Sequence, residues 1–195
     1  YNRALTQRNV MLRSDRELDP EMMELVEQMM AAEAYKVYEC RKGFVERLIP
    51  IFQQFYQQIA GVDEAVSLSY RSNLADYSLA ELLAASRYDD RRVGYTTKGV
   101  HKDELVMQLN GYPIKKEGSQ GQNKSYLVAL KLAQFDFLHS CNGETPILLL
   151  DDIFDKLDSR RVEQIVRLVS GERFGQIFIT DVNRDHIDSI LECTN

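Results

Sequence analysis

Two stretches of this chain carry residue types that could handle a phosphate. The first is Gly118-Ser-Gln-Gly-Gln122. The second, about thirty residues later, is the apolar run Ile147-Leu-Leu-Leu150, which ends in Asp151-Asp152. A buried strand that terminates in adjacent carboxylates can present one oxygen donor to a magnesium ion and another to an attacking water, as phosphoryl transfer requires. Leu157-Asp158 follows six residues on. Ser-Gln-Gly-Gln alone occurs by chance in surface turns, and two aspartates after a strand often only cap a helix. Their conjunction, in this order and spacing, is far more specific.

The loop Gly-x-x-x-x-Gly-Lys-Ser/Thr, which supplies backbone amides and a lysine to phosphates, is absent from the sequence. Gly94-Tyr-Thr-Thr-Lys-Gly99 has the glycine spacing, but Val100-His101 stands where lysine and a hydroxyl residue are needed. A chain that opens at Tyr1 with charged helical residues and carries half of such a site reads as the C-terminal part of a longer protein.

The elements that must position these residues are legible in outline. Asp19-Pro20 marks a helix start, with Asp as cap and Pro at the first helical position. Met22, Val26, Met29, Met30, Val37, Tyr38, Phe44, Val45, Leu48, Phe52, Phe55 and Tyr56 then recur at helical spacing. Pro50 should kink or end this helix, and Gly61 marks its exit. The stripe suits either a helix packed on its own domain or a projecting arm. Val66 to Tyr70 alternates as a half-buried strand. Ser78-Leu-Ala-Glu81 has capping-box spacing for a second helix. Leu105 to Leu109, Asn110-Gly111 and Tyr112 to Ile114 read as a hairpin that delivers the chain to Gly118. An apolar helix begins just beyond Gln122, and its free amides would face an anion. The strand at Ile147 to Leu150, a helix near Arg160 to Ser170 and the strand Gln176 to Thr180 form a β-α-β unit with a fully buried, parallel look. Asn183 onward is a closing helix.

The composition excludes several classes. The 195 residues are 44% hydrophobic and 28% charged, enough for one good core or two small ones. No apolar run approaches the roughly twenty residues needed to cross a bilayer. Cys40, Cys141 and Cys193 cannot all pair and lack metal-ligand spacing, which favours a reducing cytoplasm. The dispersed His101, His139 and His186 give no zinc site or nucleophilic triad. A net charge of −6 argues against nucleic-acid binding over the whole surface. From Arg87 to Lys124, however, eight basic residues face five acidic ones, a local excess of three. That stretch suits either a DNA-facing patch or a solvated mixed-charge surface.

Signature, strand, carboxylate pair and second Leu-Asp stand in the order of the ABC-type, SMC-like ATPase heads, and the chain resembles that superfamily. Tyr1-Asn-Arg-Ala-Leu-Thr-Gln-Arg-Asn9, Gly99-Val-His-Lys-Asp103, Ser119-Gln-Gly-Gln122, Leu148-Leu-Leu-Asp-Asp152 and Leu157-Asp-Ser-Arg-Arg161 narrow the resemblance to the C-terminal half of the RecF family. It covers nearly the whole chain. Val100 is a departure, since the family usually shows Gly-Pro-His there.

The resemblance implies an α/β fold: the C-terminal half of an ABC-type ATPase head, a mostly parallel sheet flanked by helices, with a preceding helical arm. The expected domains are a helical subdomain over 1–95 and the C-terminal head lobe over 96–195, carrying the signature, Walker B strand and D-loop. The family is ATP-dependent and DNA-binding. It acts in recombinational repair and replication restart with RecO and RecR at gapped DNA, promotes RecA loading and assists the SOS response.

By motif position, Ser119, Gln120, Gly121 and Gln122 would meet ATP held by a partner copy, so hydrolysis belongs to a homodimer. Asp151 would help hold Mg2+, Asp152 would orient or deprotonate the attacking water, and Asp158 would sit at the dimer seam. Such heads more often carry glutamate at the second carboxylate, and Asp152 implies slow turnover. The switch histidine is missing, with Thr180-Asp181 in its region. Alone, the chain should bind ATP poorly. Two other readings compete with this one. The first is a partner-binding module without catalysis, and the second, disfavoured by the helical insertion and the signature variant, is a transporter subunit.

Overall fold

The computed structural model describes residues 1–14, 19–61 and 63–180. The chain divides into two units, Tyr1–Val45 with Ser69–Val106, and Glu46–Leu68 with Met107–Asn195.

The first unit contains helix α1 (Asn2–Arg13), the start of helix α2 (Pro20–Ala60) and helix α3 (Leu79–Val93). Asp19 Oδ1 accepts the backbone N–H groups of Glu21 and Met22 at 3.0 and 3.3 Å, so α2 starts as its Asp-Pro signal predicts. Its buried seam in this unit runs through Met23, Val26, Met30, Ala34 and Tyr38. Met22 and Met29, predicted to lie on that seam, are 45% and 54% exposed. Val26, Met30 and Tyr38 of the predicted stripe are buried, so its phase holds and only its width is overdrawn. Ala4, Leu79, Leu83 and Val100 complete this core. Inside the unit Arg8 is fully buried. It donates to Glu27 at 3.0 Å, to Asp90 at 2.7 Å and to Thr96 Oγ1 at 2.8 Å. A buried guanidinium is tolerated only because carboxylates and a hydroxyl replace its water.

Gly94 to Gly99 is not a phosphate cradle. Gly94 caps α3 in the left-handed region at φ 75°. Thr97 donates its backbone N–H to Asp90 Oδ1 at 2.9 Å and its hydroxyl at 2.6 Å, and Thr96 donates its N–H and hydroxyl to Asn9 Oδ1 at 2.8 Å, so these donors of the loop are spent inside the unit.

The second unit holds the larger core. Pro50 lies inside α2, which continues to Ala60, so of the two expected outcomes, a kink or an end, the helix does not end there. A proline in mid-helix costs about 3 kcal/mol. Leu48, Phe52, Phe55, Tyr56 and Ile59, buried on either side of it, offset that cost by packing on one cluster. Strands β1 (Val66–Arg71), β2 (Glu104–Leu109) and β3 (Tyr112–Pro113) form a sheet in that order, β2 and β3 joined antiparallel through Asn110-Gly111. Both turn residues have positive φ, 51° and 82°, as the Asn-Gly pair predicts.

A short helix α4 (Ile114–Glu117) leads to helix α5 (Gln120–Asn142), followed by strand β4 (Leu148–Asp151), helix α6 (Ser159–Val169) and strand β5 (Ile177–Thr180). β4 and β5 pair parallel, Leu148 with Ile177 through Asp151 with Thr180. This β-α-β unit follows the sequence reading except in one respect. Leu148 and Leu150 are buried, but Leu149 is 70% and Phe178 53% exposed, so the strands present one covered face rather than two. The predicted closing helix from Asn183 lies outside the described residues, as do Asp181, His186 and Cys193.

Candidate functional site

The phosphate-facing candidate is the first turn of α5. Gly118 must lack a side chain, because a Cβ there would lie 2.6 Å from the carbonyl oxygen of Ile114. Ser119 is the N-cap. Its hydroxyl accepts from the Gln122 N–H at 3.2 Å while Gln122 Oε1 accepts from the Ser119 N–H at 2.9 Å. This reciprocal box starts the helix at Gln120, a turn earlier than the apolar pattern alone indicates, and places Gly121 and Gln122 on the helix rather than before it. Ser119 and Gln120 are exposed, and Gly121 and Gln122 half-buried.

The carboxylate candidates sit at the end of β4. Asp152 N–H donates to Thr180 O at 2.9 Å, which extends the parallel ladder to the end of both strands. Asp151 is exposed and accepts a hydrogen bond from the Thr180 hydroxyl. Asp152 has φ 48°, in the left-handed region that Asp and Asn tolerate better than other side chains. Among the described residues its buried Oδ1 has no hydrogen-bond partner. Among the described residues no three His, Cys, Asp or Glu side chains cluster as a metal site.

The tertiary structure ties the two stretches together through Lys124, Gly121 and Arg161. Lys124, on α5, donates to the backbone carbonyl of Asp152 at 2.5 Å. Gly121 approaches the loop after β4 so closely that a Cβ would lie 3.1 Å from Lys156 O. Asp158 caps α6, accepting the Arg161 N–H at 2.9 Å and facing Arg161 Nε at 3.2 Å. Arg161 Nη1 then donates to Ser125 Oγ of α5 at 2.9 Å and Nη2 to Glu64 at 2.8 Å. The signature turn, the carboxylate pair and the Leu-Asp motif thus belong to one unit and share a hydrogen-bonded frame.

Helix α5 thus starts at Ser-Gln-Gly-Gln and is anchored on a carboxylate-ending parallel strand. No family model matches the chain. Curated relatives do. The chain is 58% identical over 193 residues to the DNA replication and repair protein RecF of Phocaeicola vulgatus. It is 57% identical to that of Bacteroides thetaiotaomicron and 55% to that of Parabacteroides distasonis. The alignments cover 98%, 98% and 100% of the chain. Along nearly its whole length the chain is similar to RecF proteins. It spans about half the length of these relatives, 52% to 53%.

A solved RecF structure with ATP, described as a recombination mediator of the RecFOR pathway, superposes with a TM-score of 0.78 at 25% identity. The match covers 95% of this chain and 52% of that one. A second RecF structure gives the same score at 24% identity. The fold is therefore RecF-like, with a helical region ahead of a small parallel sheet.

Within this RecF-like chain the candidates Ser119, Gly121, Gln122, Asp152 and Asp158 enter the shared frame directly. Asp151 joins through Thr180, and Gln120 is an exposed residue of the same turn. Reading the sequence missed Lys124 and Glu64. Lys124 lies two residues after the signature, a spacing that puts it on the next part of the first turns. Glu64 carries no motif at all, and only its contacts reveal it. Of the basic stretch from Arg87 to Lys124, several members are engaged internally. Arg87 pairs with Glu27, Arg92 with Asp89, and Lys102 lies over the Tyr95 ring. No helix among the described residues is long and apolar enough to cross a membrane.

Proposed function

We propose that this chain is the C-terminal half of a RecF-type switch ATPase of DNA recombination, repair and replication. In this reading it is a cytoplasmic protein that dimerises on gapped DNA when ATP is bound, works with RecO and RecR, helps load RecA and so supports the SOS response. The observation that carries it is the Lys124 link from the signature helix to Asp152, which puts the two halves of the motif set on one frame.

In this reading Ser119 and the N–H groups around Gly121 meet the terminal phosphate of ATP bound by the partner copy, at a helix start suited to anions. Asp158 lies at the seam between copies. The donor set suits a hard divalent cation: two adjacent carboxylates, one with a buried Oδ1 that has no partner among the described residues. Asp151 would hold Mg2+ through water, and the bound ion would supply charge neutralisation to the phosphates. The Asp152 carboxylate would orient the attacking water and take its proton.

The test is ATP hydrolysis by this chain mixed with the N-terminal half of its own protein, with and without gapped DNA, against Ser119→Arg. Turnover that needs both halves, rises with DNA and disappears in the variant is the expected result. No turnover in any mixture of folded halves would assign the chain to partner binding without catalysis.

A further inference from the structure

Glu64 lies in the short connection between α2 and β1, away in sequence from every motif, yet its carboxylate collects donors from three elements. Oε2 accepts from Tyr56 OH of α2 at 2.5 Å. Oε1 accepts from Gln122 Nε2 of α5 at 3.0 Å and from Arg161 Nη2 of α6 at 2.8 Å. The Glu64 and Arg161 side chains are only 17% and 14% exposed. Hydrogen bonds to a charged acceptor in such a place are stronger and more directional than surface contacts. Burial alone would push the Glu64 carboxyl up, but the Tyr56 and Gln122 donors and the Arg161 charge together hold it below the usual carboxylate range.

Gln122 gives the arrangement its meaning. A capping box accepts Glu or Gln equally at this position. Here Oε1 is spent on the Ser119 N–H, and the other end of the side chain must donate to Glu64. A glutamate would set two carboxylates against each other, so Glu64 selects Gln. The same carboxylate fixes Arg161, which holds Ser125 Oγ, and Ser125 Oγ in turn donates to Gly121 O at 2.9 Å. Ser119, Gly121, Gln122 and Asp158 are thereby oriented from a single point.

We propose that Glu64 is a positioning residue for the composite nucleotide site, holding the signature turn and the Asp158 loop in register through Gln122 and Arg161. The proposal rests on the reading of Ser119 to Gln122 as the phosphate-meeting turn. Glu64 itself touches no nucleotide. Its loss should leave each subunit's own grip on ATP intact and impair only steps that need the signature of one copy placed against the other.

The test uses the full-length protein, with a fluorescent ATP analogue for affinity, sedimentation for ATP-dependent dimerisation, and steady-state hydrolysis. Glu64→Gln and Gln122→Glu are each expected to cut hydrolysis and dimerisation at least tenfold, since small misplacements carry such penalties. Nucleotide affinity should stay within about twofold, on the same grounds that chemistry and binding separate. The double variant Glu64→Gln/Gln122→Glu removes the clash of two carboxylates but turns an amide N–H toward Arg161, so it should recover hydrolysis only in part, to a level above that of Gln122→Glu. Parental turnover in Glu64→Gln while Ser119→Arg is inactive would overturn the positioning role and leave the composite site standing. Parental turnover in Ser119→Arg would overturn the composite site itself. Loss of nucleotide affinity and melting temperature together, with no recovery in the double variant, would reduce Glu64 to structural support and overturn the proposal.

Discussion

Gly121 packs its backbone against Lys156, close enough that a methyl group at Gly121 would stand 3.1 Å from the Lys156 carbonyl oxygen. Lys156 is itself in the left-handed region at φ 67°, a conformation its loop holds at some cost. Alanine in the first turn of a helix otherwise favours folding over glycine by about 0.5–1 kcal/mol. The two effects oppose each other. Gly121→Ala is expected to shift the urea midpoint of this chain very little. It should lower ATP-dependent dimerisation of the full-length protein at least tenfold by displacing the loop that leads to Asp158. A variant that dimerises normally would show that the loop moves without consequence.

Asp152 combines a buried Oδ1 that has no partner among the described residues with a left-handed backbone. Asparagine tolerates that backbone as well as aspartate, whereas glutamate does so less readily. Asp152→Asn should therefore melt within about 2 °C of the parent, the scale of a ΔΔG of a few tenths of a kcal/mol, while hydrolysis in the full-length protein falls at least a hundredfold, the range of a lost general base. Asp152→Glu, although it keeps the charge, is expected to be less stable than Asp152→Asn. Thermal melts and single-turnover hydrolysis of both variants check this, and Asp152→Asn hydrolysing as fast as the parent would remove Asp152 from the chemistry.

Arg8 faces Glu27 and Asp90 with no exposed surface of its own. Removing it leaves Asp90 without its counter-charge and Glu27 with Arg87 alone. Asp90 is buried, yet the Thr97 donors and Arg8 hold its carboxyl below the usual range, so it stays charged near neutrality. Arg8→Ala should cost about 3–5 kcal/mol. Chemical denaturation is the measurement, and a loss under 1 kcal/mol would mean that water replaces the guanidinium.

His101 gives the chain a pH dependence of definite sign. Nε2 faces Thr96 O at 3.0 Å and so carries the proton, which leaves Nδ1 to accept from Tyr1 OH at 2.8 Å. Burial, with some help from the Lys102 charge, lowers its pKa. Unfolded histidine titrates near about 6.5, so below that value the unfolded chain binds a proton that the folded chain resists. The contribution is complete above about pH 6.5 and is lost as pH falls through the lower folded value. Urea midpoints measured from about pH 7.5 to 5 should decline, and the slope should flatten in His101→Gln. An equal slope in both chains would assign the decline to carboxylates.

The sequence by itself determined what is coded over a few residues. Ser78-Leu-Ala-Glu81 and Ser119-Gln-Gly-Gln122 both form the capping boxes their spacing specifies, and Asn110-Gly111 makes the turn its backbone preference allows. The order of signature, strand and carboxylates pointed to RecF proteins because each of these motifs is local. The tertiary structure decided the rest. It chose Met23 over Met22 for the buried seam, carried α2 through Pro50, and used the donors near Thr97 for Asp90 instead of a phosphate. It also brought Glu64 to Arg161 across 97 positions. A carboxylate takes its partners from whatever the folded core places beside it, and no spacing rule reaches that far along the chain. Its role becomes readable only when helices α2, α5 and α6 have converged on one core.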